Sequence, residues 1–390
     1  MPGPAAATNR SHCAIFRSDP THRQPWLARL ALALATLACT SWAGADTCRV
    51  TESGTDLGDG SDWNAQALAL QAALAIPACT EIWVEAGVYK PTTGTDETTS
   101  FNIRPGAAVY GGFDGTEDTR EERNPVVNTT ILSGDIDDDD IDDDGNHIAD
   151  DYNDLQGANT NRLILMDGTT AAGPITASTV LDGFVVTAAE CREPECIGAG
   201  MYCNGLGSGH ECSPTLGQLR FIGNRGFSGG AIYNHGSSGG ISSPALDGVE
   251  FVSNYAEIGG GAMVNASSDG GISSPMLTNV VFSDNVAGQS GGAMYGITAS
   301  GTISPVLVNV TFSGNHDYSN GGAMGNLSSG DSGSNTPSLT NVTFHENTAG
   351  KGGAIHSSGG SSGETSPALV NVTFSANHAA SGGAIYTDPG

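Results

Sequence analysis

The segment with the densest chemistry is GDIDDDDIDDDGNHIADDYND, residues 134–154, which carries eleven aspartates. Within it Asp140, Asp142, Asp144, Gly145, Asn146 and Asp151 follow the spacing of a calcium loop. Hard oxygen donors stand at alternate positions, with a glycine for the sharp turn. Two features depart from that pattern: no helices flank the segment, and His147 stands where an apolar residue belongs, with the apolar side chain one place later at Ile148. The alternative reading is a solvated acidic insertion. Any Ca²⁺ held here would be structural, and no other cofactor is indicated.

Cysteine is the second reactive type. Removing an N-terminal leader leaves six, Cys48, Cys79, Cys191, Cys196, Cys203 and Cys212. An even number in an exported chain reads as disulfides. Proximity favours 191–196 and 203–212, with 48–79 as the third pair. CREPEC and CNGLGSGHEC lack the Cys-x-x-Cys knuckles of zinc sites.

The leader itself is residues 1–45. Arg17, Arg23 and Arg29 precede the apolar run LARLALALATLAC, and Ala43-Gly44-Ala45 forms a small-x-small site. Cleavage between Ala45 and Asp46 is expected. The run is too short for a stable membrane span, and Thr36-Leu37-Ala38-Cys39 is an imperfect lipobox.

Net charge is −28, and residues 213–390 contribute only −7 of it, from ten acidic and three basic residues. The acidity therefore sits in the N-terminal half. It argues against nucleic acid or anionic lipid as a partner.

A polysaccharide hydrolase would need paired carboxylates on one face, and a lyase would need a base near the uronate. Residues 213–390 offer only Arg220, Arg225 and Lys351 as cations, and acids such as Asp247, Asp284 and Asp317 occupy scattered positions. His316 and His378 lie two repeats apart, ~9–10 Å by strand spacing, too far to share a metal. The Asn-x-Ser/Thr triplets at Asn309, Asn341 and Asn371 read as repeat structure, not glycosylation sites.

The elements that would position these groups come from a repeat. Phe-x-x-Asn recurs at Phe221, Phe251, Phe282, Phe312, Phe344 and Phe374, in steps of 30, 31, 30, 32 and 30 residues. Pro214, Pro244, Pro275, Pro305, Pro337 and Pro367 keep the same steps, as does Gly-Gly-Ala, with its alanine at 231, 262, 293, 323, 354 and 384. Leu339-Thr-Asn-Val-Thr-Phe344 alternates with period two, a strand. The Gly-Gly-Ala run reads as a second strand, and the Gly/Ser-rich stretch as a third strand or a loop. Such a unit buries a face only by stacking on its neighbours. The fold class is therefore all-β, a single-stranded right-handed parallel β-helix. Ladders of the valines (249, 280, 310, 342, 372), the phenylalanines and the alanines fill its interior. The turn asparagines (224, 254, 285, 315, 347, 377) stack and take up left-handed backbone. GSDWNAQALALQAALA, residues 60–75, predicts a helix capped by Asp59, Ser61 or Asp62, placed to cover the open end of the stack. FNIRPGAAVYGGF, RLILMDG, TVLDGFVVTAA and IGAGMYCN read as earlier, irregular coils. The chain divides into a leader (1–45), a cap and first coils (46–125), irregular coils with the acidic insertion and cysteines (126–212), and six repeats (213–390).

The succession DGSDWNAQALALQAALA…EIWVEAGVYKPT, VYGGFDGTEDTREERNP, TILSGDID and LDGFVVT resembles exported bacterial right-handed parallel β-helix repeat proteins of the choice-of-anchor type. The GGAI…FxxN units resemble the repeats of chlamydial polymorphic outer-membrane proteins. The resemblance covers roughly residues 55–390. It implies an extracellular or outer-membrane-surface protein of a bacterium, adhesive or structural, and brings no catalytic residues. Its partners would be a glycan or a host or matrix surface, met by a monomeric rod through the Gly/Ser-rich loops 236–242, 267–273, 328–336 and 357–365. A carbohydrate-active β-helix enzyme and an autotransporter passenger are the alternatives. The chain stops partway through a coil, at GGAIYTDPG, as a truncated reading would.

Overall fold

The alternation of small apolar and polar residues builds short strands, and every strand pairing is parallel, rung upon rung. In this computed structural model residues 47–388 are described, apart from 195, 331 and 361. The expected cleavage site at Ala45–Asp46 lies outside them. Three long sheets run the length of the stack. Sheet 1 has ten strands, from Thr47–Thr55 to Ala368–Val370. Sheet 2 has nine, from Gly87–Tyr89 to Thr373–Ser375, and sheet 3 has nine, from Phe101–Asn102 to Ile385–Thr387. From Arg225 onward a fourth sheet of six short strands enters between sheets 2 and 3. One full coil reads Ala245–Asp247, Glu250–Val252, Tyr255–Ala256 and Met263–Ser267. The Gly/Ser-rich stretches add two-residue strands at the last corner, as in Thr302–Ile303 against Ser334–Asn335. The chain is a parallel β-solenoid.

The interior is the set of ladders the repeat predicts. The six phenylalanines stack with centroids 4.7–5.2 Å apart and planes within 11° of parallel. Val249, Val280, Val310 and Val342 are buried, as are the alanines from Ala231 to Ala354. Two further ladders complete the core: Leu216, Leu246, Leu277, Leu307 and Leu339 from sheet 1, and Ile232, Met263, Met294, Met324 and Ile355 from sheet 3.

Gly-Gly-Ala has a specific cause. The first glycine is left-handed, as at Gly260 (φ +60°) and Gly291 (φ +66°). The second passes so close to the next coil that a Cβ at Gly261 would lie 2.2 Å from the Gly292 carbonyl oxygen. Only glycine meets both demands.

The turn asparagines form the expected ladder. Asn285 Oδ1 accepts from both Asn254 Nδ2 (3.0 Å) and the Asn254 backbone N–H (3.1 Å), and Asn285 Nδ2 donates to the Phe251 carbonyl at 2.9 Å. The left-handed conformation, however, falls on the residue before each of them, such as Ser253, Asp284 and Glu346. A second set, Asn279, Asn309, Asn341 and Asn371, is also left-handed (φ +53° to +56°) and makes its own exposed ladder. The Asn-x-Ser/Thr triplets thus exist because asparagine tolerates that turn.

The predicted helix is much shorter than residues 60–75. It spans Leu70–Ala75 (α1), its N-cap is Ala69, and no side chain caps it. The acidic residues upstream are spent on turns instead: Asp59 accepts from the Ser61 N–H, and Asp62 from those of Asn64 and Gln66. Leu68 is drawn into bridges with Val50 and Thr55. Local side-chain bonds compete with helix where tertiary pairing is on offer. The covering role survives: α1 packs on Thr47–Thr55 and on Phe101–Asn102, the terminal strands of sheets 1 and 3, and buries Leu70, Ala73 and Leu74.

Candidate functional site

The acidic insertion leaves the stack between the sheet 2 strand Thr130–Ser133 and the sheet 3 strand Ile164–Asp167. An antiparallel bridge between Asp135 and Asn159 closes its neck. It is a folded appendage. Ala149 and Leu155 pack on Ala188 of the stack, and the Tyr152 ring stacks on Tyr255, 4.6 Å away. Asp140 ties the two arms together, its Oδ1 accepting from the Gln156 backbone N–H (2.5 Å) and Asn159 Nδ2 (3.1 Å).

Of the five proposed calcium ligands, Asp142, Asp144 and Asn146 share one turn, while Asp140 and Asp151 make their hydrogen bonds elsewhere. Asp142 accepts from the N–H groups of Gly145, Asn146 and His147 at 2.9–3.0 Å. Burial works against its charge, but those donors prevail and hold its pKa below the ordinary carboxylate value. Asp144 accepts from the Asn146 backbone and side chain, and Asp151 from those of Asn153. These oxygens face their own turns.

Asp140 instead joins Asp135 and Asp139. One oxygen from each lies within 4.8 Å of the other two. Asp140 Oδ2 is buried without a hydrogen-bond partner, and burial, only partly offset by its two donors, pushes the carboxyl up to about 7. Asp139 is raised as well, by burial and then by the nearby charges of Asp137 and Asp135. Crowding three carboxylates favours uptake of a proton or a cation. The trio's all-oxygen donor set suits a hard divalent ion. Asp135 and Asp140 open on a cleft of ≈ 180 Å³ lined also by Lys90, Asp138, Asp142 and His147, where Lys90 pairs with Asp138 at 2.6 Å. Asp135 and Asp139 were not legible as ligands. Their approach to Asp140 comes from the closed neck of the insertion, which no local spacing encodes.

The cysteines form three disulfides, Cys48–Cys79, Cys191–Cys196 and Cys203–Cys212. The first ties the strand Thr47–Thr55 to the segment after α1, fastening the cap. The third sits inside the stack, where later coils place Asn234 and Ser242 on the same rungs.

The cations of the repeats are all engaged. Arg220 pairs with Glu250 (3.0 Å), Arg225 with Glu190 and Glu257 (3.8 Å each), and Lys351 with Asp388 (3.2 Å). The acids considered with them have three unlike environments. Asp247 accepts from Asn279 at the surface, Asp284 sits in a left-handed turn, and Asp317 is fully buried. His316 and His378 share an outward rung of the fourth sheet with Thr348 between them.

The Gly/Ser-rich loops are built into the corner more than expected. In 236–242 only Ser238 and Gly239 are exposed, and in 267–273 only Asp269, Gly270 and Ile272. Ser242, Ser273 and Asn335 are fully buried.

Among known families, residues 341–358 and 371–388 match the Chlamydia polymorphic membrane protein (Chlamydia_PMP) repeat. No curated protein and no solved structure matches the chain. Among the described residues, no helix is long and apolar enough to cross a membrane.

Proposed function

We propose that this is an exported surface protein of a bacterium that works by adhesion, a stack of coils whose outward side chains hold a glycan or a host or matrix surface by many weak contacts. The observation that carries the reading is the match of two coils to a repeat of chlamydial membrane proteins, in a stack whose interior rungs repeat one residue type while its outward rungs vary. Phenylalanine fills six consecutive interior rungs. The outward rung beside it runs Arg220, Glu250, Val281, Thr311, Thr343 and Thr373. Packing fixes the first set and leaves the second open to selection by a partner. The exposed corner tips are the most adaptable part of that surface. Replacing Ser238–Gly239 and Asp269–Gly270 with the tips of other coils should abolish attachment of chain-coated beads to the partner surface, while circular dichroism stays unchanged. Undiminished attachment would remove the tips from the binding face.

The trio Asp135, Asp139 and Asp140 would hold a structural Ca²⁺. The ion would replace the proton on Asp140 and tie the neck of the insertion. Added Ca²⁺ at pH 7.5 should then raise Tm, through a stabilisation that grows with ligand excess and reaches about 2.7 kcal/mol at a hundredfold excess over Kd. The gain should vanish in Asp139→Asn and shrink at pH 5, where protons compete. An equal response in Asp139→Asn would place the ion elsewhere.

A further inference from the structure

The outer face of sheet 3 holds a second constellation. The strand register puts Tyr233, Val264, Tyr295, Gly325, His356 and Tyr386 on one outward rung. The next outward rung carries Ala266, Ile297, Leu327 and Ser358. Tyr233, Val264, Ala266, Tyr295, Ile297 and Leu327 pack into one apolar cluster outside the main core. The loops leading into Gly-Gly-Ala cross in front of this face and wall it in. A Cβ at Gly259 would meet the Tyr295 ring at 2.7 Å, and one at Gly325 would meet Ser290 Oγ at 2.4 Å.

Between wall and face lies a cleft of ≈ 320 Å³. Tyr295, Leu327 and His356 line its apolar side, and Gln289, Asn320 and Asp388 its polar side. The polar side is prepared. His356 Nε2 contacts Asp388 Oδ2 at 3.1 Å, and Lys351 Nζ contacts Asp388 Oδ1 at 3.2 Å. The His356 side chain is 7 % exposed and its ring stacks on Tyr386, over which the Lys351 ammonium also sits. Among the described residues Asp388 is the only acidic one lining the cleft, and Lys351 and His356 hold it, so the described lining offers neither a cation nor an anion an uncompensated partner.

We propose that this cleft binds a neutral saccharide. Leu327 and the ring atoms of Tyr295 and His356 that line the cleft meet the C–H face of a sugar, while amides, hydroxyls and a carboxylate held in place meet its hydroxyl groups. The volume is at the lower end for small-molecule sites, room for about one or two sugar rings. Acidic polysaccharides are disfavoured twice, because no described residue lining the cleft is a spare cation and because the chain carries a net charge of −28. The proposal rests on the adhesive reading and names the ligand class and the place of one contact.

The test titrates the full chain with cellotriose, maltotriose and chitotriose, with polygalacturonate as the acidic control, by saturation-transfer NMR and calorimetry. Gln289 is exposed, so Gln289→Ala trims the rim and Gln289→Trp plugs the cleft without touching the stack. The expected result is saturable binding of at least one neutral trisaccharide, weakened about three- to tenfold in Gln289→Ala, the loss of one hydrogen bond, and abolished in Gln289→Trp. Saccharide binding unchanged in both variants would overturn the site. Binding of polygalacturonate alone, or no saccharide binding in a chain that still attaches to matrix protein, would overturn the ligand class and leave adhesion standing. A chain that binds neither saccharide nor matrix protein would overturn both.

Discussion

At the scale of single residues, repetition makes exceptions informative. Asp317 is one. Its rung of the fourth sheet carries Ala256 and Ala287 in the two preceding coils. The carboxyl is fully buried, Oδ1 accepts from the N–H groups of Ser319 (2.7 Å) and Asn320 (2.5 Å), and Oδ2 has no partner. Burial outweighs the two donors and raises it to about 7. The sign follows from linkage. Between the ordinary value near 3.8 and about 7 the folded state holds a proton that the unfolded state has lost, so stability falls as pH rises through that window and is flat above it. Asp317→Asn keeps the acceptor and removes the charge. It should raise Tm by a few degrees at pH 8 and progressively less toward pH 4, as thermal melts across that range would show. A lower Tm at pH 8 would mean that the charge is matched by a partner in solution. The trio at Asp135, Asp139 and Asp140 poses the same problem at a more open site, where a cation can enter.

At the scale of elements, much of the stack was legible in advance because one residue type recurs on each rung. Phe-x-x-Asn and Gly-Gly-Ala mark a strand, a turn and a second strand, and the structure shows all three. The leucine and methionine ladders were missed because Leu246 stands between Ala245 and Asp247 and Met263 between Ala262 and Val264, so neither sits in a local polar-apolar alternation. The helix was overextended for a related reason. Residues 60–69 have helical composition, yet Asp59 and Asp62 bond to the backbone just downstream and Leu68 joins strand bridges. The spacing of the acidic loop does not tell which carboxylates meet, because the neck closed by Asp135 and Asn159 brings Asp135 and Asp139 to Asp140. The corner glycines give a sharp element-scale prediction. Gly248→Ala meets open space and only the left-handed conformation (φ +64°), costing about 1 kcal/mol. Gly261→Ala drives a Cβ to 2.2 Å from a carbonyl of the next coil, and should cost several times more in chemical denaturation. Equal midpoints for the two variants would contradict the close-approach account.

At the scale of the whole molecule, the described residues divide the work between inside and outside. Interior rungs are fixed by stacking, one disulfide fastens the cap and two the irregular coils, and α1 covers one end of sheets 1 and 3. The outer surface is what remains free for recognition, and the acidity of the N-terminal half disfavours anionic partners. The measurement that tests this most directly is binding of the purified chain to an array of glycans and matrix proteins, with Ca²⁺ and with chelator. The account predicts saturable binding to a defined neutral glycan or matrix protein, weaker under chelator if the carboxylate trio shapes the face. Silence on the array in both conditions would contradict adhesion and leave a structural spacer as the function.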